Sequence, residues 1–268
     1  MSRTLVIGEP GCTHEGDFDT LVSLLETASQ CGADVFKPQW VSSAERHLTR
    51  RTAKLSAEEA AEFRRKFTRS YGWLEFPLAW HRELRDRAHD LGMQYACSVN
   101  LREDVWVLEP FVDAFKVASF EFCDERLIRT VAATGKPYWI GAGMTTTIDR
   151  HNGAFSRRRL MFCTSAYPTP ESEASLSTIS SERLRGYSDH TRNELAGVVA
   201  VSQGATVVEA HYRLDDCDPG NPDYVVAFTP SEFKRYVVNI RTAERLLGTP
   251  RILMAPSEEP MAIYRVNE

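Results

Sequence analysis

Eight short apolar runs alternate with amphipathic segments along this chain of 268 residues, and this alternation constrains the fold more than any other feature. The apolar runs cover residues 5–8, 34–39, 94–99, 114–119, 137–142, 160–165, 184–188 and 205–212. Helical periodicity covers residues 18–31, 77–91, 125–134, 194–203 and 231–247. A glycine suited to a left-handed cap follows each of these segments, at Gly32, Gly92, Gly135, Gly204 and Gly248. The alternation predicts an α/β protein with the (β/α)8 TIM barrel fold, which needs about 250 residues. No GxGxxG or P-loop pattern favours a doubly wound sheet.

We expect a single barrel domain with its core over residues 4–248 and a C-terminal tail over residues 249–268. Two units depart from a uniform barrel. Residues 43–76 insert a long charged excursion after the second strand, with a helix-like stretch at 57–70. Because the loops that follow barrel strands build the active-site face, this insertion is a candidate lid or oligomer contact, and we expect a homo-oligomer. Residues 143–159 lack apolar periodicity, which predicts a shortened fifth helical unit.

Composition excludes several classes of protein. The net charge is -5, and the run of three arginines at residues 157–159 is more typical of a solvated turn than of a nucleic-acid site. No apolar stretch approaches the ~20 residues that cross a bilayer, and the N-terminus has no signal-peptide pattern, so we expect a cytoplasmic protein. Six cysteines lie scattered without a CxxC pair, which predicts reduced thiols instead of a zinc cluster or disulfides.

Two histidines, His190 and His211, lie at the ends of consecutive apolar runs. If those runs are neighbouring parallel strands, the two imidazoles lie roughly one strand spacing, ~5 Å, apart and face the same side. Ser188 and Glu209 precede them by two residues and therefore share that face. The pair predicts a shared metal site, although two unrelated core histidines, each satisfied by a hydrogen bond, remain an alternative.

Cationic and hydroxyl side chains also fall at predicted strand ends. Lys37 shares strand parity with Gln39, and Lys116 lies two strands further along the chain. Hydroxyls that can bind the same anion follow at Ser98, Ser119 and Ser188. Buried lysines need an anion, and these two could instead form structural ion pairs with Glu9, Glu121 or Glu209. Taken together, the groups favour a metal-assisted reaction on a phosphorylated acid.

The order of motifs resembles the sialic acid synthase family from about residue 5 to about residue 248. The matching motifs are Glu9, His14-Glu15-Gly16, Lys37-Pro38-Gln39, Lys116-Val117-Ala118-Ser119, Tyr167-Pro168-Thr169-Pro170, Ser188-Asp189-His190-Thr191, Glu209, His211, Pro219-Gly220 and Asp223. Only the barrel domain of that family is matched, without its C-terminal antifreeze-like domain. The resemblance implies condensation of phosphoenolpyruvate with an aldehyde acceptor, with release of phosphate and formation of a 3-deoxy-2-keto acid.

The resemblance also implies a role for each matched residue. His190 and His211 correspond to ligands of a divalent metal, usually manganese. Six residues correspond to the phosphoenolpyruvate site: Lys37, Ser98, Lys116, Ser119, Ser165 and Ser188. Four correspond to positions that face the acceptor: Gln39, Glu121, Tyr167 and Asp223. Glu9 and Glu209 correspond to acidic residues beside the reacting centre, and one of them is the expected proton acceptor.

Several departures from the family pattern concern the substrate. Gly141 stands where a phosphate-binding serine is usual, and residues 99–101 replace the usual Pro-Phe-Asp. N-acetylmannosamine therefore need not be the preferred acceptor, and a smaller sugar or a nucleoside-derived aldehyde is an alternative. A metal-dependent barrel aldolase or isomerase and a noncatalytic binding homologue remain alternatives, and release of phosphate that depends on an aldehyde distinguishes them.

Overall fold

Eight parallel strands form a closed barrel in the computed structural model, which describes residues 3–145, 158–180, 184–248 and 254–266. The strands are β1 (Leu5–Gly11), β2 (Val35–Trp40), β3 (Gln94–Val99), β4 (Ala114–Val117), β5 (Tyr138–Ala142), β6 (Arg158–Phe162), β7 (Leu184–Asp189) and β8 (Val207–His211). Each strand pairs with the next along the chain, and β8 pairs with β1 to close the barrel. The TIM-barrel prediction is confirmed.

Helices cover the outside of the barrel. They are α1 (Phe18–Cys31), α2 (Ala44–Thr52), α3 (Ala57–Trp73), α4 (Leu78–Asp90), α5 (Asp104–Leu108), α6 (Glu125–Ala133), α7 (Ala196–Ser202) and α8 (Pro230–Leu247). The first shows why the sequence folds as it does: the Asp17 side chain accepts from the amide of Thr20, and Gly32 ends the helix at a φ of 87°. All five cap glycines have positive φ, as predicted.

The interior of the barrel has two layers that follow from the two-residue period of the strands. The lower layer is apolar and contains Ile7, Val35, Ala96, Ala114, Trp139, Met161 and Val207. Two residues further along each strand, the next layer is mostly polar and contains Glu9, Lys37, Ser98, Lys116, Gly141, Cys163, Ser188 and Glu209. The apolar layer closes the barrel from below, so the polar layer opens only toward the carboxyl ends of the strands.

The helical units are less regular than the sequence predicts. The insertion folds as two helices, α2 and α3, whereas the pattern predicted one. The prediction of strict alternation is wrong for the sixth unit, since the described residues between β6 and β7 form 3-10 turns at Glu171–Glu173 and Leu176–Ser180. The predicted shortening of the fifth unit falls mainly on residues 146–157, outside the described residues. No helix within the described ranges is long and apolar enough to cross a membrane.

Buried histidines make the fold sensitive to acid. The ring of His81 lies between Trp40 and Phe76, and its Nδ1 is 2.7 Å from the Tyr95 hydroxyl. Burial lowers the pKa of His81 from 6.5 to about 3. Protons therefore bind the unfolded chain before they bind the folded one, and stability that is present above pH 6.5 is lost as the pH falls toward 3.

We predict that the free energy of unfolding falls by about 2 kcal/mol between pH 7 and pH 5 because of His81 alone. His81→Gln should lower stability at pH 7 through lost packing but flatten this decline, as measured by urea unfolding at both pH values. His89→Gln, at a ring with 47% of its side-chain surface exposed, is the matched control and should keep the wild-type decline. An unchanged pH dependence in His81→Gln would contradict the assignment.

Candidate active site

A narrow cavity of about 40 Å³ lies at the carboxyl ends of the strands, above the apolar layer. We call it the barrel cavity. It is lined by Glu9, Lys37, Gln39, Ser98, Lys116, Ala118, Ser119, Gly141, Cys163, Tyr167, Ser188, His190, Glu209 and His211. All but three of the residues that the sequence assigned to the site line this cavity, and the exceptions are Glu121, Ser165 and Asp223.

Two lysines and two glutamates form a buried network across the barrel cavity. The Nζ of Lys37 is 2.9 Å from Oε1 of Glu9 and 3.4 Å from Oε2 of Glu209, and it donates to Ser98 Oγ at 2.7 Å. The Nζ of Lys116 is 2.6 Å from Oε1 of Glu209. Of the three glutamates that could pair with the lysines, Glu9 and Glu209 do so.

The network keeps Glu209 and Lys37 charged. Burial alone would raise the pKa of Glu209, but Lys116 and Lys37 outweigh it and hold that pKa well below its usual value. Burial would likewise lower the pKa of Lys37, yet Glu209 and Glu9 raise it above its usual value. With Lys116 and Glu9, the network contributes two positive and two negative charges to the cavity.

The two histidines converge as strand alternation predicts. Their ring centroids are 5.6 Å apart, and the Tyr167 ring lies 4.3 Å from that of His190. His190 Nδ1 is 2.8 Å from the carbonyl oxygen of Thr164, and Nε2 has a longer contact of 3.5 Å with Ser188 Oγ. Burial first, and then His211, lowers the pKa of His190 to about 3, so this ring is neutral near pH 7.

His211 has no hydrogen bond at its buried Nδ1 within the described structure. Its Nε2 is 3.6 Å from Oε2 of Glu9, and Nδ1 is 4.0 Å from Oδ2 of Asp223. Imidazole nitrogens that have no protein partner, or only a long contact to one, are suitable ligands for a divalent cation. The described residues contain no group of three or more histidine, cysteine or acidic side chains placed to hold a metal, so the metal site remains a prediction.

Of the four residues expected to face the acceptor, Gln39 and Tyr167 line the barrel cavity, whereas Asp223 and Glu121 do not. Gln39 Nε2 donates to Glu9 Oε1 at 2.7 Å, and Asp223 Oδ2 accepts from the amide of Cys12 at 2.8 Å. Glu121 is buried and pairs with Arg51 of α2 at 2.6 Å, outside the cavity lining. Sequence reasoning missed Arg51, because its helix lies within a charged segment without a strong pattern.

Hydroxyl groups cluster beside Lys116. Ser165 Oγ lies 2.8 Å from Ser119 Oγ, so Ser165 adjoins the cavity through its neighbour. Cys163 is buried and also lines the cavity. A Cβ atom on Gly141 would lie 2.9 Å from the Ser119 backbone nitrogen, so the turn after β4 packs directly on β5.

Comparison with known proteins identifies the family of this chain. A family model described as the NeuB family matches residues 24–251. The chain belongs to the NeuB family. The resemblance inferred from the motifs is therefore confirmed.

Members and relatives of the NeuB family match most of the chain. An uncharacterized protein of Methanocaldococcus jannaschii is 31% identical, over 97% of this chain and 77% of its own length. Pseudaminic acid synthase of Campylobacter jejuni is 29% identical, over 93% of this chain and 76% of the relative. The structure of N-acetylneuraminic acid synthetase from Leptospira borgpetersenii superimposes with a TM-score of 0.82 at 24% identity, covering 98% of this chain and 92% of that one, and supports the shared fold.

The buried network predicts a large coupling between Lys116 and Glu209. Removing either partner leaves a buried charge uncompensated, so Lys116→Met and Glu209→Gln should each destabilise the protein by about 3–5 kcal/mol. The double variant should cost clearly less than the sum, with a coupling of about 1–3 kcal/mol in urea unfolding. Arg235 and Glu194, an exposed pair at 2.6 Å, are the control and should show no comparable coupling. Additive costs for Lys116 and Glu209 would refute the network.

Proposed function

We propose that this NeuB family chain condenses phosphoenolpyruvate with the aldehyde of a sugar or sugar-like acceptor. The reaction releases phosphate and gives a 3-deoxy-2-keto acid. One observation carries the proposal: two lysines, two glutamates, two histidines and several serine hydroxyls converge in one buried cavity at the carboxyl ends of the barrel strands. Relatives named pseudaminic acid synthase and N-acetylneuraminate-9-phosphate synthase support the same chemistry here.

The proposed phosphoenolpyruvate site is the floor of the barrel cavity. Lys37 and Lys116 supply the cations for its phosphate and carboxylate groups. The hydroxyls of Ser98, Ser119, Ser165 and Ser188 adjoin those amines. A lysine is a compact donor with three N–H bonds, so each can keep a carboxylate partner while it binds an oxygen of the ligand.

Charge balance supports a divalent cation in the site. The two lysines are matched by Glu9 and Glu209, so the network alone has no excess charge to offset the negative phosphoenolpyruvate. His190 and His211 are the residues that would hold the cation, because Nε2 of His190 has only a 3.5 Å contact with Ser188 and Nδ1 of His211 has no hydrogen-bond partner in the described structure. When bound, such a cation would polarise the acceptor aldehyde as a Lewis acid.

The side chains of this cavity then have separate tasks. The C3 carbon of phosphoenolpyruvate forms a bond to the aldehyde carbon, water adds at C2, and the bond from C2 to the phosphate oxygen breaks. Lys37 and Lys116 neutralise the departing phosphate and the carboxylate. Gln39 and Tyr167 lie at the cavity wall where the acceptor enters.

We assign the proton acceptor to Glu9. Glu209 accepts from Lys116 and Ser188 through Oε1, and its lowered pKa makes it a weak base. Oε1 of Glu9 contacts Lys37 and accepts from Gln39, and Oε2 of Glu9 lies 3.6 Å from Nε2 of His211. That oxygen is thus available to take the proton of the attacking water.

The test is release of inorganic phosphate from phosphoenolpyruvate in the presence of Mn²⁺ and a panel of aldoses and N-acyl amino sugars. We expect release that depends on one acceptor, with a product whose mass equals acceptor plus pyruvate. Lys116→Met should lower kcat/KM by at least about 100-fold, whereas the exposed control Lys234→Met should retain activity. Aldol cleavage or isomerisation without phosphate release would instead support the other barrel chemistry.

A second prediction follows from the charge balance. Removing divalent cations with a chelator should weaken phosphoenolpyruvate binding by about tenfold or more in calorimetry, and Mn²⁺ should restore it. His190→Gln and His211→Gln should each abolish this Mn²⁺ effect and weaken Mn²⁺ binding measured by electron paramagnetic resonance. His89→Gln is the control at an exposed ring. Phosphoenolpyruvate affinity that is equal with and without the cation would contradict the proposed metal site.

A further inference from the structure

A second cavity, of about 300 Å³, opens at the same end of the barrel and shares no lining residue with the barrel cavity. We call it the arginine cavity. Its walls come from α2, the segment after β3 and the start of α6, and they are formed by Arg46, Arg50, Leu101, Arg102, Glu103, Asp124 and Arg126. Four guanidinium groups face two carboxylates there. The cavity thus carries two excess positive charges in a chain whose net charge is -5.

Two of the four arginines are held in place. Arg46 donates to Glu103 Oε1 and to Ser42 Oγ, both at 2.8 Å. Arg50 donates to the carbonyl oxygen of Asn100 at 2.6 Å and pairs with Asp124. These contacts use both carboxylates of the cavity and fix its shape.

The other two arginines supply the excess charge. Arg102 and Arg126 are exposed, and neither forms an ion pair with any carboxylate in the part of the chain that the structure describes. Their guanidinium groups carry planar N–H donors that suit the oxygens of a phosphate group. Among the described residues, the cavity thus combines two arginines held by hydrogen bonds with two arginines that have no ion-pair partner. This arrangement is suited to binding an anion.

We propose that the arginine cavity binds the phosphate group of a phosphate monoester, as a site separate from that for phosphoenolpyruvate. A phosphate dianion matches the excess of two charges, whereas a single carboxylate would leave one arginine uncompensated. The only apolar residue in the lining is Leu101, which is buried, so recognition is electrostatic. An extended nucleic-acid backbone is disfavoured because the chain is acidic overall.

The position of the cavity links it to the acceptor side of the active site. Asn100, whose carbonyl holds Arg50, lies just after the end of β3, two positions after the barrel-cavity residue Ser98. Arg51, next to Arg50 on α2, pairs with Glu121. The phosphate group is therefore carried either by the acceptor itself or by a separate compound that binds beside it.

Calorimetry decides whether this site exists. The probe is glycerol 3-phosphate, a phosphate monoester without an aldehyde, with glycerol as the uncharged comparison. We expect the double variant Arg102→Gln/Arg126→Gln to bind the probe at least about tenfold more weakly than the wild type. Arg82→Gln/Arg185→Gln removes two exposed arginines elsewhere and should stay within about twofold. Equal affinity in the wild type and the first double variant, or no binding by the wild type, would overturn the proposal.

Kinetic measurements distinguish a phosphate group carried by the acceptor from one carried by a separate compound. Only this kinetic test rests on the proposed function. If the acceptor carries the phosphate, Arg102→Gln/Arg126→Gln lowers kcat/KM for N-acetylmannosamine 6-phosphate and leaves that for N-acetylmannosamine unchanged. If a separate compound binds, glycerol 3-phosphate changes kcat/KM for the unphosphorylated acceptor in the wild type but not in the variant. Absence of turnover would count against the proposed function and leave the calorimetric result intact.

Discussion

The buried network of Lys37, Glu9, Glu209 and Lys116 is the constraint on which the active end of this barrel depends. Charges inside a barrel are costly unless each one is paired, and here the distances of 2.6 to 3.4 Å pair every member with another. The four residues come from β1, β2, β4 and β8, so the network forms only when the whole barrel closes. The site is thus assembled by the fold and not by any local segment.

The strand period explains why so much of the site was predictable. One residue of shift would turn every side chain of a strand to the other face, and the apolar lower layer fixes that choice. Once Ile7 and Val35 face inward, Glu9 and Lys37 must do so as well. The closure of β8 on β1 then sets Glu9 opposite His211 in register. Position along a strand was therefore sufficient to place the lysines, the glutamates and the histidines.

Pairing and loop structure were not predictable in the same way. Arg51, the partner of Glu121, lies 70 positions earlier in the sequence. Only the packing of the insertion on the barrel brings the two residues together. The two 3-10 turns after β6 are separated by Ser175, whose φ of 45° interrupts a continuous helix. Such features depend on tertiary contacts and local backbone conformation, which a search for amphipathic periods does not detect.

The glycines of β5 show how a departure from the family pattern agrees with the local geometry. A Cβ atom at Gly141 would lie 2.9 Å from the backbone nitrogen of Ser119, and one at Gly143 would lie 2.3 Å from Ser165 Oγ. Larger residues would therefore displace the turn after β4 or the end of β6. Because both positions are glycine, Ser119 and Ser165 approach each other to 2.8 Å beside Lys116. The hydroxyls for the proposed phosphate position come from the neighbouring strands, so a side chain on β5 is not needed to complete it.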